Sequence, residues 1–248
     1  MPEPTTLSLW PAALLIAGSA VVIVLAGTRL AGVADRLADR TGMGEILAGA
    51  IFVGGSTSLP GAIASMTTAA GGFPQLAIGN ALGGLTAQTM FLGIADLAYR
   101  RANLEHAAAT VTGLTQGVLL VSLLSIALIA SNGPEVTLWH IHPATFLLIV
   151  SYGFGLRLLT HIKEDPMWSP IQTDETRKQL DEDAEGEGEP STRRLWWHFG
   201  MYGAATAVAG YGVAVGSESL VRATDLSEAA VGTLITAWPT LFRNSSQP

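Results

Sequence analysis

The stretch Gly44–Thr68, GEILAGAIFVGGSTSLPGAIASMTT, decides how this chain is read. Glu45 is its one charged residue. A hydrocarbon layer about 30 Å thick is crossed by about 20 apolar residues rising about 1.5 Å each, so the run is long enough to span it. Its middle is not ordinary helix sequence. Pro60 has no amide hydrogen, which leaves the carbonyl of Ser56, four residues back, without its helical partner. Gly54, Gly55 and Gly61 flank the proline, and Ser56, Thr57 and Ser58 set hydroxyls at the same depth. The helix is expected to bend or open at Pro60 and Gly61. Released carbonyls and hydroxyls are ligands for hard cations, and unpaired backbone survives at membrane depth only inside protein or beside a wet cavity. A proline kink patched by the neighbouring hydroxyls fits the same residues, and this stretch alone leaves both readings standing.

The next apolar run, LAIGNALGGLTAQTMFLGIADL at Leu76–Leu97, carries an amide, Asn80, in its interior. Gly79 and Gly83 form a GxxxG face on which another helix can approach closely. Asn80 can therefore share a ligand with the neighbouring span or simply hydrogen-bond across to it, and Gln88 repeats the polarity two turns later.

The remainder of the chain agrees with a membrane location. Of 248 residues, 49% are hydrophobic and 13% charged, against about a quarter charged in soluble domains. Fifteen of the 33 charged residues fall between Ile162 and Arg194, so long stretches elsewhere hold none. Six spans are expected, at Trp10–Arg29, Glu45–Thr68, Pro74–Tyr99, Val111–Ser131, His142–Thr160 and Leu195–Val221, with a seventh opening at Ser227. Leu30, Val33, Ala34 and Leu37 share one helical face, which predicts that the first helix continues into the interface. With the amino terminus outside, twelve of the thirteen Lys and Arg residues are cytoplasmic and only Arg222 is external. The acidic run DEDAEGEGEP makes 162–194 a cytoplasmic linker with too few apolar groups to order. A net charge of -7 excludes a nucleic-acid partner, since phosphate binding needs a basic face. The absence of cysteine removes thiolate chemistry and Cys-based metal sites.

The chain also matches itself. MGEILAGAIFVGGST at Met43–Thr57 aligns without gaps on LSEAAVGTLITAWPT at Leu226–Thr240, pairing Glu45 with Glu228, Gly49 with Gly232 and Thr57 with Thr240. The charge count makes the first copy enter the membrane from the cytoplasm and the second from outside. That is an inverted repeat, an arrangement of secondary transporters with a site near the midplane.

TSLP in one span, GN followed by small residues in the next, and the recurrence of the approach sequence together carry a resemblance. Gly42–Leu97 resembles the first alpha-repeat of the calcium/cation antiporter superfamily, which includes the sodium/calcium exchangers, and Gly212–Thr240 is similar to the approach to the second. The resemblance implies an all-α, polytopic membrane helix bundle: one five-helix half of an inverted-repeat antiporter, residues 1–161, then the linker 162–194, then the sixth helix and the start of a seventh at 195–248. It implies alternating access, in which two long helices, here those at Trp10 and Leu195, slide across a rigid core. It implies cation-facing groups at the backbone near Ser56, the side chains of Thr57 and Ser58, and the amide of Asn80. The partners expected are the bilayer of the plasma membrane and small cations, sodium, calcium or protons, with no other cofactor.

Two departures bear on activity. The superfamily continues TSLP with glutamate, where this chain has Gly61, so a divalent ion loses an anionic ligand in a low-dielectric site. Glu45, Asp96 and Glu218 fall near helix ends and are read as interfacial charges, with Asp96 spaced to pair with Arg100. The last residues, PTLFRNSSQP, do not extend an apolar helix, and codons for Leu-Phe-Arg-Asn-Ser can read Leu-Pro-Glu-Leu one register back. The expectation is an antiporter incomplete and inactive as this chain alone, needing a carboxy-terminal half or a second chain. The alternative is a non-transporting membrane helix bundle, a decayed paralogue or a partner subunit. An enzyme is not expected: Ser56 and Ser58 lack a GxSxG setting, and His106, His140, His142, His161 and His198 lie near helix ends.

Overall fold

A computed structural model describes residues 7–41, 48–98, 110–134, 136–138, 141–164, 191–224 and 226–236. Glu45, Arg100, the acidic run within 165–190 and the final residues 237–248 therefore lie outside the described residues. Seven α-helices are described: α1 (Leu9–Thr41), α2 (Gly55–Ala70), α3 (Pro74–Ala98), α4 (Val111–Ser131), α5 (Pro143–Glu164), α6 (Thr192–Ala223) and α7 (Glu228–Val231). Two π-helical segments, Gly49–Gly54 and Gly232–Thr236, lead into α2 and follow α7. No strand occurs among the described residues, so the all-α fold class holds. The helices α1, α4 and Pro143–Ile162 of α5 are long and apolar enough to cross a membrane. The second expected span is divided between its π segment and α2, and α6 carries Gly, Ser and Tyr where aliphatic residues would raise its hydropathy.

The chain forms two compact units, Met1–Ala95 with Gly186–Pro248, and Asp96–Glu185. In the first, α1 and α6 are the longest described helices, at 33 and 32 residues. They pack antiparallel through small residues: a Cβ on Gly216 would come 3.1 Å from Ala12 O, and one on Gly212 would meet the Ser19 hydroxyl. In a lipid solvent, where apolar burial does not drive helices together, such close backbone approach supplies the dispersion contacts that hold the pair.

The continuation of α1 through Leu30–Thr41 occurs, but its apolar face turns to protein. Leu30, Ala34 and Leu37 are fully buried, and Ala34 and Leu37 pack on Ala48, Phe52 and Leu195. Phe52 reinforces this seam edge-to-face with Trp196 and Phe199 at centroid distances of 5.7 and 6.0 Å.

The turn GGFP between α2 and α3 is built from the end of α2. Gly72 takes φ +86°, where a side chain would be strained. That lets the amides of Gly72 and Phe73 bond the carbonyls of Ala69 and Thr68, a Schellman closure. Pro74 then starts α3, where its missing amide hydrogen costs nothing.

The second unit pairs α4 with α5, joined at Gly155, whose missing side chain makes room for Leu119. Thr110 caps α4 by accepting from the Gly113 amide at 2.9 Å. No residue of α4 is buried within this two-helix unit, and its sequence is apolar along its whole length.

Candidate functional site

The expected opening lies one turn earlier than the proline. From Gly49 to Gly54 the chain is π-helical, with the Gly55 amide reaching Ala50 O, five residues back. From Gly55 onward α2 runs through Pro60 as α-helix to Ala70. A proline ring needs room at the carbonyl four residues before it, and a widened turn just upstream is one of the ways a helix supplies room. Ser56 Oγ donates to Val53 O at 3.0 Å and Thr57 Oγ1 to Gly54 O at 2.9 Å, so both hydroxyls serve carbonyls of the widened turn.

Side chains four apart on a helix share a row. Ser56, Pro60, Ala64 and Thr68 are the buried row of α2, and they face α6. Contact is closest at Pro60, where a Cβ on Gly210 of α6 would lie 2.9 Å from its Cα and 3.0 Å from its carbonyl carbon. Thr57, Gly61 and Ser65 form the adjoining row, and this one meets α3. Asn80 Nδ2 donates to Gly61 O at 3.1 Å and to Ser65 Oγ at 2.8 Å, and Ser65 Oγ donates to Ala77 O at 3.2 Å. Ser58 is exposed on the far side of α2 and joins neither row. Gln88 is exposed on α3, away from Asn80, which is 7% exposed.

The proline-bearing helix and the amide-bearing helix therefore touch directly at Gly61 and Asn80. Both amide hydrogens of Asn80 are used in this junction, which makes Oδ1 the atom it can offer a cation. Ser65 was not marked by sequence reasoning, although its spacing from Thr57 and Gly61 puts it on their row. Among the described residues no group of three or more His, Asp or Glu side chains could hold a metal ion.

The second copy of the repeat closes on the same place. Its π segment starts at Gly232, the residue aligned with Gly49 where the first π segment starts. Gly232 sits on α3: a Cβ there would come 2.6 Å from Leu76 O, 2.9 Å from Gly79 Cα and 3.0 Å from Asn80 N. Gly79 answers it, with its own Cβ position 3.1 Å from Gly232 Cα. Beside this crossing, Glu228 Oε2 accepts from the Leu76 amide at 3.3 Å, in the first turn of α3 where amides lack helical partners. Ser227 caps α7 through the Ala230 amide at 3.3 Å.

The sequence profile of the sodium/calcium exchanger protein family matches residues 11–159, more than half of the chain. The chain belongs to the sodium/calcium exchanger family. It is a membrane protein of that cation-exchanger family, and the match takes in α1 to α5, including the Gly61–Asn80 junction. No curated protein and no solved structure matches the chain. The family's members are transporters, not enzymes, and the junction of α2 and α3 brings together carbonyl, hydroxyl and amide groups.

Proposed function

We propose that this chain is the cation-handling portion of a secondary active antiporter that exchanges sodium or protons for another cation, calcium among them, by alternating access. The observation that carries the reading is the direct junction of Gly61 and Asn80 inside the stretch that matches the exchanger family. The carbonyl of Ser56, the hydroxyl of Thr57 and Asn80 Oδ1 are the proposed cation ligands, with the long pair α1 and α6 as the moving element; Ser58, exposed on the far side of α2, leaves the set. The Lys and Arg distribution supports an external amino terminus and a cytoplasmic 162–194, and residence in the plasma membrane is part of the same proposal.

Gly61 leaves this seat without the carboxylate that divalent coordination needs, and the carboxylate tied to α3, Glu228, is engaged one turn away at the Leu76 amide. The chain alone is therefore expected not to transport, and a second set of ligands from a further repeat half or a partner chain completes the shell. The second reading, a non-transporting helix bundle, is favoured by the same junction in one respect: both Asn80 amide hydrogens already have protein acceptors.

Reconstitution decides between them. Sodium-dependent calcium uptake by the chain alone refutes the predicted inactivity. Gly61→Glu restores an acid beside Asn80 and should produce a calcium- or sodium-dependent rise in melting temperature that the parent chain lacks. No rise would remove the seat from this junction and leave the non-transporting reading.

A further inference from the structure

We propose that Glu218 is a second cation-accepting group, a carboxylate that takes up a small hard cation, sodium or a proton, against the last turn of α2. Sequence position alone makes Glu218 an interfacial charge, but the structure sets it inside α6 and against protein. Its Oε1 is buried with no hydrogen-bond partner among the described residues, and the hydroxyl of the preceding Ser217, a fully buried residue, is in the same condition. The carboxyl group lies on Gly71, where a Cβ would come 2.7 Å from Oε1, 3.1 Å from Cδ and 3.2 Å from Oε2. Only glycine admits the carboxylate at that position.

Gly71 is the C-cap of α2, so the carboxylate faces the negative end of a helix, the wrong end for an anion. Arg222, one turn along α6, is the charged group facing it from its own helix. The guanidinium of Arg222 is drawn over the Phe73 ring, 4.9 Å from the centroid. The turn packed against Glu218, Gly71, Gly72 and Phe73, carries no titratable side chain, and Glu228 from α7 is bonded to the Leu76 amide. A buried carboxylate oxygen without a donor is costly, and a bound proton or a hard cation relieves it. The carbonyl end of α2 adds oxygen of the kind such a cation takes. Nothing in this argument passes through Asn80, so the two sites stand or fall separately.

The probe is dicyclohexylcarbodiimide, which attaches to protonated carboxyl groups in apolar surroundings, applied to the full chain in detergent and mapped by mass spectrometry. If sodium is the ion, modification of Glu218 in choline chloride should fall about tenfold once sodium reaches roughly ten times its dissociation constant, by mass action. If the proton is the ion, modification should decline with rising pH and ignore sodium. Either result supports the proposal. Modification that is absent at every pH, or equal in all conditions, overturns it. Glu218→Gln should abolish the accompanying sodium- or pH-dependent melting shift, whereas Asn80→Ala should preserve the protection of Glu218, which separates failure here from failure of the Asn80 seat.

Discussion

Replacing Gly232 with alanine places a methyl carbon 2.6 Å from Leu76 O, 2.9 Å from Gly79 Cα and 3.0 Å from Asn80 N. Carbon contacts are at ease at about 3.5–4.0 Å, so the overlap approaches an ångström, and none of the three obstructing atoms belongs to a side chain that can swing away. Inserting a methylene into a closed contact of this kind typically costs about 1–3 kcal/mol. Alanine is also the better helix former by about 0.8–1.0 kcal/mol, which offsets part of that cost. The repeat supplies a control that removes the offset. Gly49 is the aligned residue, it also begins a π segment, and a Cβ on it meets nothing within 4 Å among the described residues. Gly49→Ala should gain the propensity without the clash, so the difference between the two variants isolates the overlap at about 1–3 kcal/mol. Thermal unfolding in a mild detergent reads this as a gap of about 2–12 °C for a domain of this size, with Gly232→Ala lower. If Gly232→Ala melts at or above Gly49→Ala, α3 and the second copy of the repeat do not meet backbone to backbone, and the construction of the site fails.

Three further outcomes follow from the same contacts. Asn80→Ala removes two interhelical hydrogen bonds and should lower stability by about 1–2 kcal/mol, measured by the same unfolding assay, since such bonds average about 0.6 and reach about 1.7 kcal/mol each. Asn80→Asp tests the electrostatics of that junction: it replaces two donors with acceptors facing Gly61 O and Ser65 Oγ, and it should destabilise more than alanine unless cation is added. Glu228→Ala takes the acceptor from the Leu76 amide and should cost about 1 kcal/mol, the value of a lost helix cap, whereas Glu228→Gln, which keeps an acceptor oxygen, should cost less.

Much of the architecture was legible because membrane sequences advertise it. Apolar length marked the helices, the heptad-like placing of Leu30, Ala34 and Leu37 marked the continuation of α1, and the GN dipeptide marked the amide that reaches α2. The self-alignment of 43–57 on 226–240 gained a structural counterpart, because both copies widen at their aligned glycines. Other features depend on what lies across a contact, which no one-dimensional pattern contains. Counting donors locates a defect at Pro60, yet α2 runs through Pro60 as α-helix and the widened turn lies upstream, at Gly49–Gly54. Ser65 looked like any serine in a span until Asn80 was set opposite it. Ser58, a ligand candidate by depth, is exposed because one residue past Thr57 turns about 100° around the helix. Glu218 read as a harmless end-of-helix charge because Gly71, which makes its burial sterically feasible, lies 147 positions earlier in the chain.

The seam between α6 and α2 is made of Gly203 against Leu59 and Gly210 against the backbone of Pro60. A glycine opposite a proline lets the two backbones close to contact, while at Gly203 the Leu59 side chain lies against the bare backbone. Such a close approach resists separation, because close backbones lose dispersion as they part. A Cβ at Gly203 would lie 3.9 Å from Leu59, in ordinary contact, whereas one at Gly210 would run into the backbone of Pro60, so the two glycines of α6 differ in how much bulk this seam tolerates.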